Sequence, residues 1–492
     1  MPRQSALART ALTAALALCA LASPALAIDE ARRVKGEQIA TKAIEFLRTQ
    51  QDKDSGGWNV PKGEQGKGRA HYPAITALVL NGMLMHPTLK PSDDSITRGA
   101  AYVLRFRQAD GGIYDGDLPS YNTAISLSML ARLDTPEAKA AITPAQDFLR
   151  NNQWGSTKPA GGKEAPAPAI AKDNPAFGGW GYGNRARPDI SNSAFAIQAL
   201  HESGLPPDDP AFQRAIVFLQ RLQMVDKFND MPYADASKQG GFIYAPGENA
   251  QTMGQGNSFA GMIEESADDG TKVSRLRAYG STTYLGFKSY VFAGLKKDDE
   301  RVTTALAWTR AHYNVLENPG MGTDGFYYYI LAMARALDAT GSATLDVTGF
   351  EPFRVSLLVD NIDAAITDDQ ITSFLKDAGK INAIIRFSAT KDAPARAMII
   401  MAGDKERQAA LDAFKSNTGD KGLNGKTRAA TLISPLESKP GPRDWQNDMI
   451  DVLATLQNPD GSFRPLDDRW MENSPELIAA YSLLAIQHIL RD

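Results

Sequence analysis

An irregular repeat constrains the fold of this chain more than any other feature. Each copy has a helical stretch that ends in Gln or another polar residue, a glycine-rich turn with an aromatic residue, and a second, more apolar helical stretch. The clearest copy, residues 42–58, reads KAIEFLRTQQDKDSGGW. Phe46 and Leu47 lie on one face of its helix, and Gly56 permits a reversal that a β-branched residue could not make. We therefore expect Trp58 to fold back onto the helix that precedes it.

The repeat predicts six pairs of helices. Further copies begin at residues 98–113, 148–153, 214–242, 304–326 and 450–463. The more apolar second helices are expected at residues 72–85, 122–133, 192–203, 281–295, 325–337 and 474–490, with Asn122, Asn192, Ser281 and Ser474 as N-caps. Because every amphipathic helix must bury its apolar stripe, the pairs predict a mainly α fold, an (α/α)6 toroid with the second helices around a central cavity. An open solenoid of the same pairs is the alternative.

The helical pattern stops between residues 345 and 435. Strands at residues 354–360, 380–387, 396–401 and 425–433, with helices at 367–378 and 405–414, predict a ferredoxin-like βαββαβ domain. We therefore divide the chain into a signal peptide (1–27), the first part of the toroid (28–344), the ferredoxin-like insert (345–435) and the last helix pair (436–492).

The first residues have the pattern of a secretory signal peptide. A basic start precedes an apolar stretch at residues 11–22, and Ala25-Leu26-Ala27 forms a small-x-small cleavage site. The apolar stretch is too short to span a bilayer, so we expect cleavage near Ala27 and an exported protein, periplasmic or secreted. Cys19 is the only cysteine and lies inside this segment. The mature chain is therefore expected to have no disulfide, no metal site and no cofactor.

The first copy of the repeat resembles the QW repeat of squalene and oxidosqualene cyclases, with Lys42, Ala43, Phe46, Leu47, Gln51, Gly56 and Trp58 in place. The body of the chain resembles exported bacterial proteins with prenyltransferase and squalene-cyclase repeats, as in FGGWGYGNRARPDISNSAFAIQALHESGL from residue 177. This resemblance implies a terpene cyclase-like toroid whose cavity lies where the inner helices begin. In the insert, residues 357–362 and 423–425 resemble an RNA-recognition motif.

The acidic motif of bacterial squalene cyclases is missing. That family places a DxDDTA-type sequence before an inner helix, and its middle Asp protonates an alkene. The corresponding stretches here read PSYNTA at residues 119–124 and DISNSA at 189–194. An amide or hydroxyl cannot supply such a proton, so a proton-initiated reaction requires Asp189, Asp324 or Glu472 as a substitute, and Asp189 and Asp324 are the catalytic candidates. The zinc site of prenyltransferases includes a cysteine, which the mature chain lacks.

Aromatic residues on or beside the inner helices favour an apolar ligand, although packing in an ordinary core is the alternative for each of them. Four consecutive aromatics, residues 326–329, must point around most of a helix circumference, so at least one should meet the cavity. The candidate substrate-binding residues are Tyr121, Asn122, Asn192, Phe195, Tyr279, Tyr284, Tyr328 and Trp470.

These features predict a protein that binds an isoprenoid or other apolar molecule and either transforms it or holds it. One alternative is a non-enzymatic lipid-binding or assembly protein that docks a protein partner through the insert and touches a membrane peripherally. Another is a carbohydrate-active toroid, a glycosidase or lyase, with paired carboxylates among Asp115, Asp117, Asp189, Glu248 and Asp324. The segment 225–279 is a candidate lid.

Nucleic acid is not an expected partner. The formal net charge is −4, so no positive field extends over the surface. The sheet positions at which an RNA-recognition motif stacks bases on aromatic residues hold Leu358, Met398 and Ile400 in this chain.

Overall fold

The computed structural model describes residues 28–61, 70–156, 170–183, 186–267, 269–360, 362, 365–387, 395–416, 423, 428–430 and 439–491. The expected signal peptide lies outside these residues, as does most of the last strand expected in the insert. The α-helices are, in chain order, α1 (Glu30–Gln50), α2 (Pro73–Leu84), α3 (Asp94–Leu104), α4 (Pro119–Leu130), α5 (Pro136–Asn152), α6 (Ile190–Glu202), α7 (Pro210–Leu222), α8 (Gly280–Phe292), α9 (Glu300–Ala311), α10 (Phe326–Thr340), α11 (Asp368–Phe374), α12 (Asp404–Ser416), α13 (Trp445–Leu456) and α14 (Pro475–Ile489). The strands are β1 (Met262–Ser266), β2 (Lys272–Leu276), β3 (Leu345–Val347), β4 (Ser356–Asp360), β5 (Ile381–Phe387), β6 (Arg396–Met401), β7 (Arg428–Ala430) and β8 (Gly441–Arg443).

Two sets of helices alternate along the chain outside the insert. We call α1, α3, α5, α7, α9 and α13 the outer helices, and α2, α4, α6, α8, α10 and α14 the inner helices. The inner helices are buried over nearly their whole length. They contact one another in a cycle, because α2 packs on α4, α4 on α6, α6 on α8, α8 on α10, α10 on α14, and α14 on α2. The first and last inner helices are therefore in contact.

Glutamines at the ends of outer helices tie one outer helix to another. Gln51 Nε2 donates to the carbonyl of Gly56 in its own turn and to that of Ser95 in α3, both at 2.8 Å. Three more glutamines bond in the same way: Gln153 to Gly178 and Ala211, Gln223 to Gly240 and Arg301, and Gln457 to Gly461 and Ile39. The last of these bonds runs from the end of α13 back to α1, so it joins the two ends of the chain.

The glycine turns allow the outer helices to approach this closely. Gly461 has φ +89°, and a Cβ there would lie 2.2 Å from the carbonyl oxygen of Lys42 in α1. A side chain at this position would therefore be both strained and in collision with the backbone. After the first turn, Trp58 Nε1 donates to the carbonyl of Leu47 at 2.7 Å, which confirms that this ring folds back onto the preceding helix.

The N-termini of several inner helices are capped by side chains from other elements. Asn122, Asn192 and Ser281 lie inside their helices, and the capping positions before α4, α6 and α8 are occupied by Leu118, Asp189 and Tyr279, so only the expected cap Ser474 is correct. Asn122 fails as a cap of α4 because its Oδ1 accepts instead from the backbone N–H of Ala74 in α2, at 3.1 Å. Its amide thus joins the starts of two inner helices.

The insert has the order of elements that the sequence predicts. Its four strands form an antiparallel sheet in the order β5-β6-β4-β7, and α11 and α12 connect strands of this sheet. On one face, Leu358, Met398 and Ile400 are at most 2% exposed and belong to the same apolar cluster as Phe326 of α10 and Val452 of α13. That face of the sheet is therefore covered by the helices and is not open to a base or a protein partner.

Within the part of the chain that the structure describes, every helix is too short or too polar to cross a membrane.

We expect that Gln51→Ala lowers the free energy of unfolding by about 2–4 kcal/mol, since it removes two buried hydrogen bonds, those to the carbonyls of Gly56 and Ser95. Gln51 is 6% exposed, whereas the adjacent Gln50 is exposed and its amide donates to Thr49, its own neighbour in the chain. Gln50→Ala is therefore the matched control, with an expected change within about 0.5 kcal/mol. Urea denaturation measures both, and equal midpoints for the two variants would contradict the role of the glutamine bridges.

Candidate functional site

A cavity of about 320 Å³ lies where the six inner helices begin. Each inner helix contributes at least one residue from its first two turns, including Ile75, Tyr121, Asn192, Ser281, Tyr328 and Leu477. The remaining wall comes from further residues of these helices, from residues beside them and from the loops above them: Tyr72, Leu118, Tyr182, Ser191, Phe195, Tyr244, Phe259, Tyr279, Trp470, Met471, Glu472 and Tyr481. The cavity is therefore built from all six inner helices and from the segments between them.

Aromatic rings in mutual contact form most of the wall. Tyr121 meets Phe195 edge to face with 5.6 Å between ring centroids, and Phe195 lies 6.0 Å from Tyr328. Tyr328 in turn lies 5.8 Å from Tyr481 on the neighbouring α14. These separations are the usual ones for stabilising aromatic pairs, so the wall is held in place without a ligand.

The mouth of the cavity is formed by a strained segment after α13. Trp470 and Met471 have φ +53° and +66°, a region that residues other than glycine seldom adopt, and their side chains are 45% and 48% exposed. Arg469 lies over the Trp470 ring at 4.4 Å and forms an ion pair of 2.5 Å with Asp324. These contacts hold the segment so that the next residue, Glu472, points inward.

Glu472 is the carboxylic acid of the cavity wall. Its side chain is 1% exposed, and its two oxygens accept the backbone N–H groups of Tyr327 at 3.1 Å and Tyr328 at 2.8 Å. Burial raises the pKa of Glu472 to about 8, although these two hydrogen bonds favour the ionised form. Burial thus favours the protonated form of Glu472, while both of its oxygens accept hydrogen bonds from the start of α10.

Six of the eight candidate substrate-binding residues line the cavity: Tyr121, Asn192, Phe195, Tyr279, Tyr328 and Trp470. The other two do not. Asn122 is engaged between α2 and α4, and Tyr284 packs 5.9 Å from Tyr329 within the core. Of the four consecutive aromatics, Tyr328 is the one that reaches the cavity, as expected for residues spread around a helix.

The two catalytic candidates from the sequence lie outside the cavity wall. Asp189 is fully buried at the start of α6, where it accepts from the backbone N–H and the side-chain amide of Asn192, both at 2.9 Å. Burial raises the pKa of Asp189 to about 6. Burial also raises the pKa of Asp324, while its Arg469 partner opposes this shift. Asp189 therefore caps a helix, and Asp324 holds the segment that carries Glu472.

From the sequence, Glu472 was expected only as a substitute for the missing acidic motif. The cavity residues Tyr182, Tyr244, Phe259 and Tyr481 were not predicted. Tyr244 and Phe259 belong to the segment 225–279, and their rings lie 4.6 Å apart above the helices. That segment therefore supplies part of the cavity wall. One signal was present for Glu472: it stands two residues before Ser474 and Pro475, which begin an inner helix.

The paired carboxylates of a carbohydrate-active site are not found around this cavity. Glu472 is the one carboxylate among its described lining residues. Asp115 binds the ring of His71 at 2.8 Å, and Glu248 is exposed on the segment above the helices. No group of three or more His, Cys, Asp or Glu side chains in the described part of the chain lies close enough to hold a metal ion.

Solved structures of a terpene cyclase are similar to this chain. The apo form of the type II terpene cyclase MstE from Scytonema has a TM-score of 0.34 and 15% identity, with 84% of this chain and 98% of that chain covered. A variant of the same cyclase in complex with its product, merosterolic acid A, has a TM-score of 0.34 and 15% identity, with 85% of this chain and 99% of that chain covered. No protein-family model and no curated protein matches the sequence.

We expect Glu472 to make the protein less stable as the pH rises. Its pKa of about 8 in the folded chain exceeds the ordinary value of 4.5, so between these values the folded state binds more protons than the unfolded state. Stability therefore falls from about pH 5 to pH 8, by roughly 3–5 kcal/mol from this group alone.

Chemical denaturation across this pH range measures the decline in the wild type and in Glu472→Gln, which cannot titrate. The difference between the two profiles isolates Glu472 from other ionisable groups. Glu476→Gln, two residues into the following helix, is the control and should keep the wild-type profile. Parallel profiles for the wild type and Glu472→Gln would show that Glu472 is already ionised in the folded protein.

Proposed function

We propose that this protein is an α/α toroid of the terpene cyclase type that binds an isoprenoid in its aromatic cavity and transforms it by proton transfer from Glu472. The observation that carries the proposal is a cavity of about 320 Å³ walled by aromatic rings, with one protonated carboxylic acid in that wall. The cyclic contact of the inner helices and the glutamine bridges support the toroid. The resemblance of residues 42–58 to the QW repeat of squalene cyclases agrees with it.

The size of the cavity favours a short isoprenoid. Pockets that bury small ligands have volumes of roughly 300–1,000 Å³, and this one lies at the lower limit. Tyr, Phe and Trp rings supply apolar contact over most of its surface, so the hydrophobic effect would provide most of the affinity. A single acid in such a wall gives the ligand one fixed polar contact and hence one orientation.

The chemistry that Glu472 supports is donation of a proton to an electron-rich group. Because its pKa is raised, Glu472 is a weak acid, and an oxygen such as that of an epoxide is easier for it to protonate than an isolated alkene. The cation that forms would lie among the faces of Phe195, Tyr328 and Tyr481. Each aromatic face stabilises a desolvated cation by about 2 kcal/mol. Glu472 and the rings thus serve the two parts of a cyclisation.

A carrier that only holds the isoprenoid is the second candidate. The exposed side chains of Trp470 and Met471 at the mouth favour it, since an apolar rim suits uptake and release of an apolar molecule. A carrier and an enzyme would both bind the isoprenoid in this cavity. They differ in whether Glu472 also donates a proton to the bound molecule.

Phe259→Ala is expected to weaken isoprenoid binding by about tenfold, because it removes a large apolar surface from the cavity wall. Farnesol binding, followed through the fluorescence of Trp470 and the other tryptophans, measures the dissociation constant. Phe292→Ala is the matched control, since Phe292 is also partly buried but stacks on His201 at the far end of α8. Equal affinities for the two variants would contradict binding in this cavity.

Glu472→Gln should abolish turnover, by at least about 100-fold, and leave binding within a few-fold of the wild type, because the amide keeps the shape but cannot donate a comparable proton. Products from farnesol, its terminal epoxide, geranylgeraniol and squalene are identified by gas chromatography and mass spectrometry. Asp189→Asn changes a buried acid outside the cavity wall and should retain turnover. Binding by the wild type with no product from any of these compounds would establish the carrier instead.

A further inference from the structure

Asn192 carries a buried acceptor that no described residue bonds. Its side chain lines the cavity at the start of α6 and is 2% exposed. The Nδ2 of Asn192 donates to Asp189 at 2.9 Å, whereas its Oδ1 has no hydrogen-bond partner among the residues that the structure describes. A buried polar atom without a partner costs about 1–3 kcal/mol, so few are retained without a reason.

Asp189 fixes the direction in which this amide points. Burial raises the pKa of Asp189 to about 6, so at pH 7.5 its carboxylate is mostly ionised and can only accept hydrogen bonds. It accepts from the backbone N–H and from the Nδ2 of Asn192, and it lies outside the cavity wall. The reversed amide would set two acceptors against each other. The Oδ1 of Asn192 therefore faces away from Asp189, toward the cavity that Asn192 lines.

Hydroxyl groups lie close to this acceptor. Ser191 lines the cavity beside Asn192, and the Tyr328 hydroxyl from α10 points to Ser191. The Tyr328 hydroxyl is itself buried and has no hydrogen bond of normal geometry to a described residue. The Tyr182 hydroxyl lies near Asn192 and leaves its Oδ1 unbonded. Ser191, Asn192 and Tyr328, which we call the polar corner, thus combine an unused acceptor with an unused donor in an aromatic wall.

The polar corner and Glu472 come from opposite parts of the cycle of inner helices. Two helices separate α6 from α14 in either direction around that cycle. Glu472 directly precedes the start of α14, and both of its oxygens already accept backbone N–H groups. A ligand O–H group therefore finds its unoccupied acceptor at Asn192.

We propose that the polar corner binds a hydroxyl group of the ligand, which donates to Asn192 Oδ1 and accepts from the hydroxyl of Tyr328. The ligand is then an isoprenoid alcohol, held at α6 by its hydroxyl end, with its chain along the aromatic wall and its other end toward Glu472. This inference rests on the proposed function and specifies the ligand class of the same cavity. Asn192 is a binding residue in it, and Asp189 positions the amide.

The test compares farnesol with farnesyl methyl ether on the mature protein at pH 7.5, with binding followed through tryptophan fluorescence. The ether keeps the chain and the oxygen but has no O–H donor. The wild type should bind farnesol at least about tenfold more tightly, because the ether leaves a buried acceptor unpaired. Asn192→Ala should bring the ratio of the two dissociation constants close to one.

Asn122→Ala is the matched control and should keep the wild-type ratio. Asn122 is also buried in the first turn of an inner helix, α4, but its Oδ1 accepts from the backbone N–H of Ala74. A purely structural role of Asn192 would lower the stability of its variant and leave the ratio unchanged. Where Asn192→Ala fails to fold, Asn192→Ser takes its place with the same expectation, since a serine hydroxyl can still donate to Asp189.

Equal binding of the two compounds by the wild type would overturn the inference and leave the proposed function standing. A wild-type ratio in the Asn192 variant would do the same, because the hydroxyl would then be bound elsewhere in the cavity. If neither compound binds to the wild type, the proposed function fails, and this inference fails with it.

Discussion

The hydrogen bonds of the repeat glutamines are the interaction on which the rest of the structure depends. Each amide stands at the end of an outer helix, satisfies a carbonyl of its own glycine turn and reaches a carbonyl of another outer helix, as Gln51 does with Gly56 and Ser95. Since both acceptors are buried, the geometry of one helix end determines where the next helix lies. Gln457 forms the same bond between the last outer helix and the first, so the bridge is present at four of the six outer-helix ends, including the end at which the cycle closes.

Where the inner helices begin, at the centre of the cycle, backbone N–H groups need hydrogen-bond acceptors from outside their own helices. The first N–H groups of each helix lack partners in their own helix, and six such ends meet around one cavity. Side chains from other elements supply these acceptors, including Asn318, which accepts from Ser281 at 2.9 Å, and Glu472, which accepts from Tyr327 and Tyr328. Glu472 is therefore buried for a structural reason, and its raised pKa follows from that burial. Glu472 thus caps the N-terminus of α10 and is also the acid that we propose for the reaction.

Local features were predictable from the sequence, and contacts between distant parts were not. The return of Trp58, the order of elements in the insert and the presence of Tyr328 at the cavity depend on glycine turns and on periodicity, which a single stretch contains. The prediction that Asn122 caps its own helix, α4, was wrong because its side chain accepts from the start of the neighbouring helix α2 instead. Glu472 could not be chosen over Asp189, since its partners precede it by about 145 residues and both acids are buried, so that only the position of Glu472 in the cavity wall distinguishes them.

The polar groups of the interior define a direction for any ligand. Glu472 stands in the wall next to Trp470 and Met471 at the mouth, and Phe195, Tyr328 and Tyr481 form an aromatic part of the same wall. Because the carboxyl group lies on one side of the cavity, a molecule with a polar group at one end only has unequal free energies in its two orientations. A neutral acid accepts a weakly basic oxygen beside it, whereas the rings favour apolar contact. An isoprenoid bound as we propose would therefore place its reactive end near Glu472 and its apolar chain among the rings.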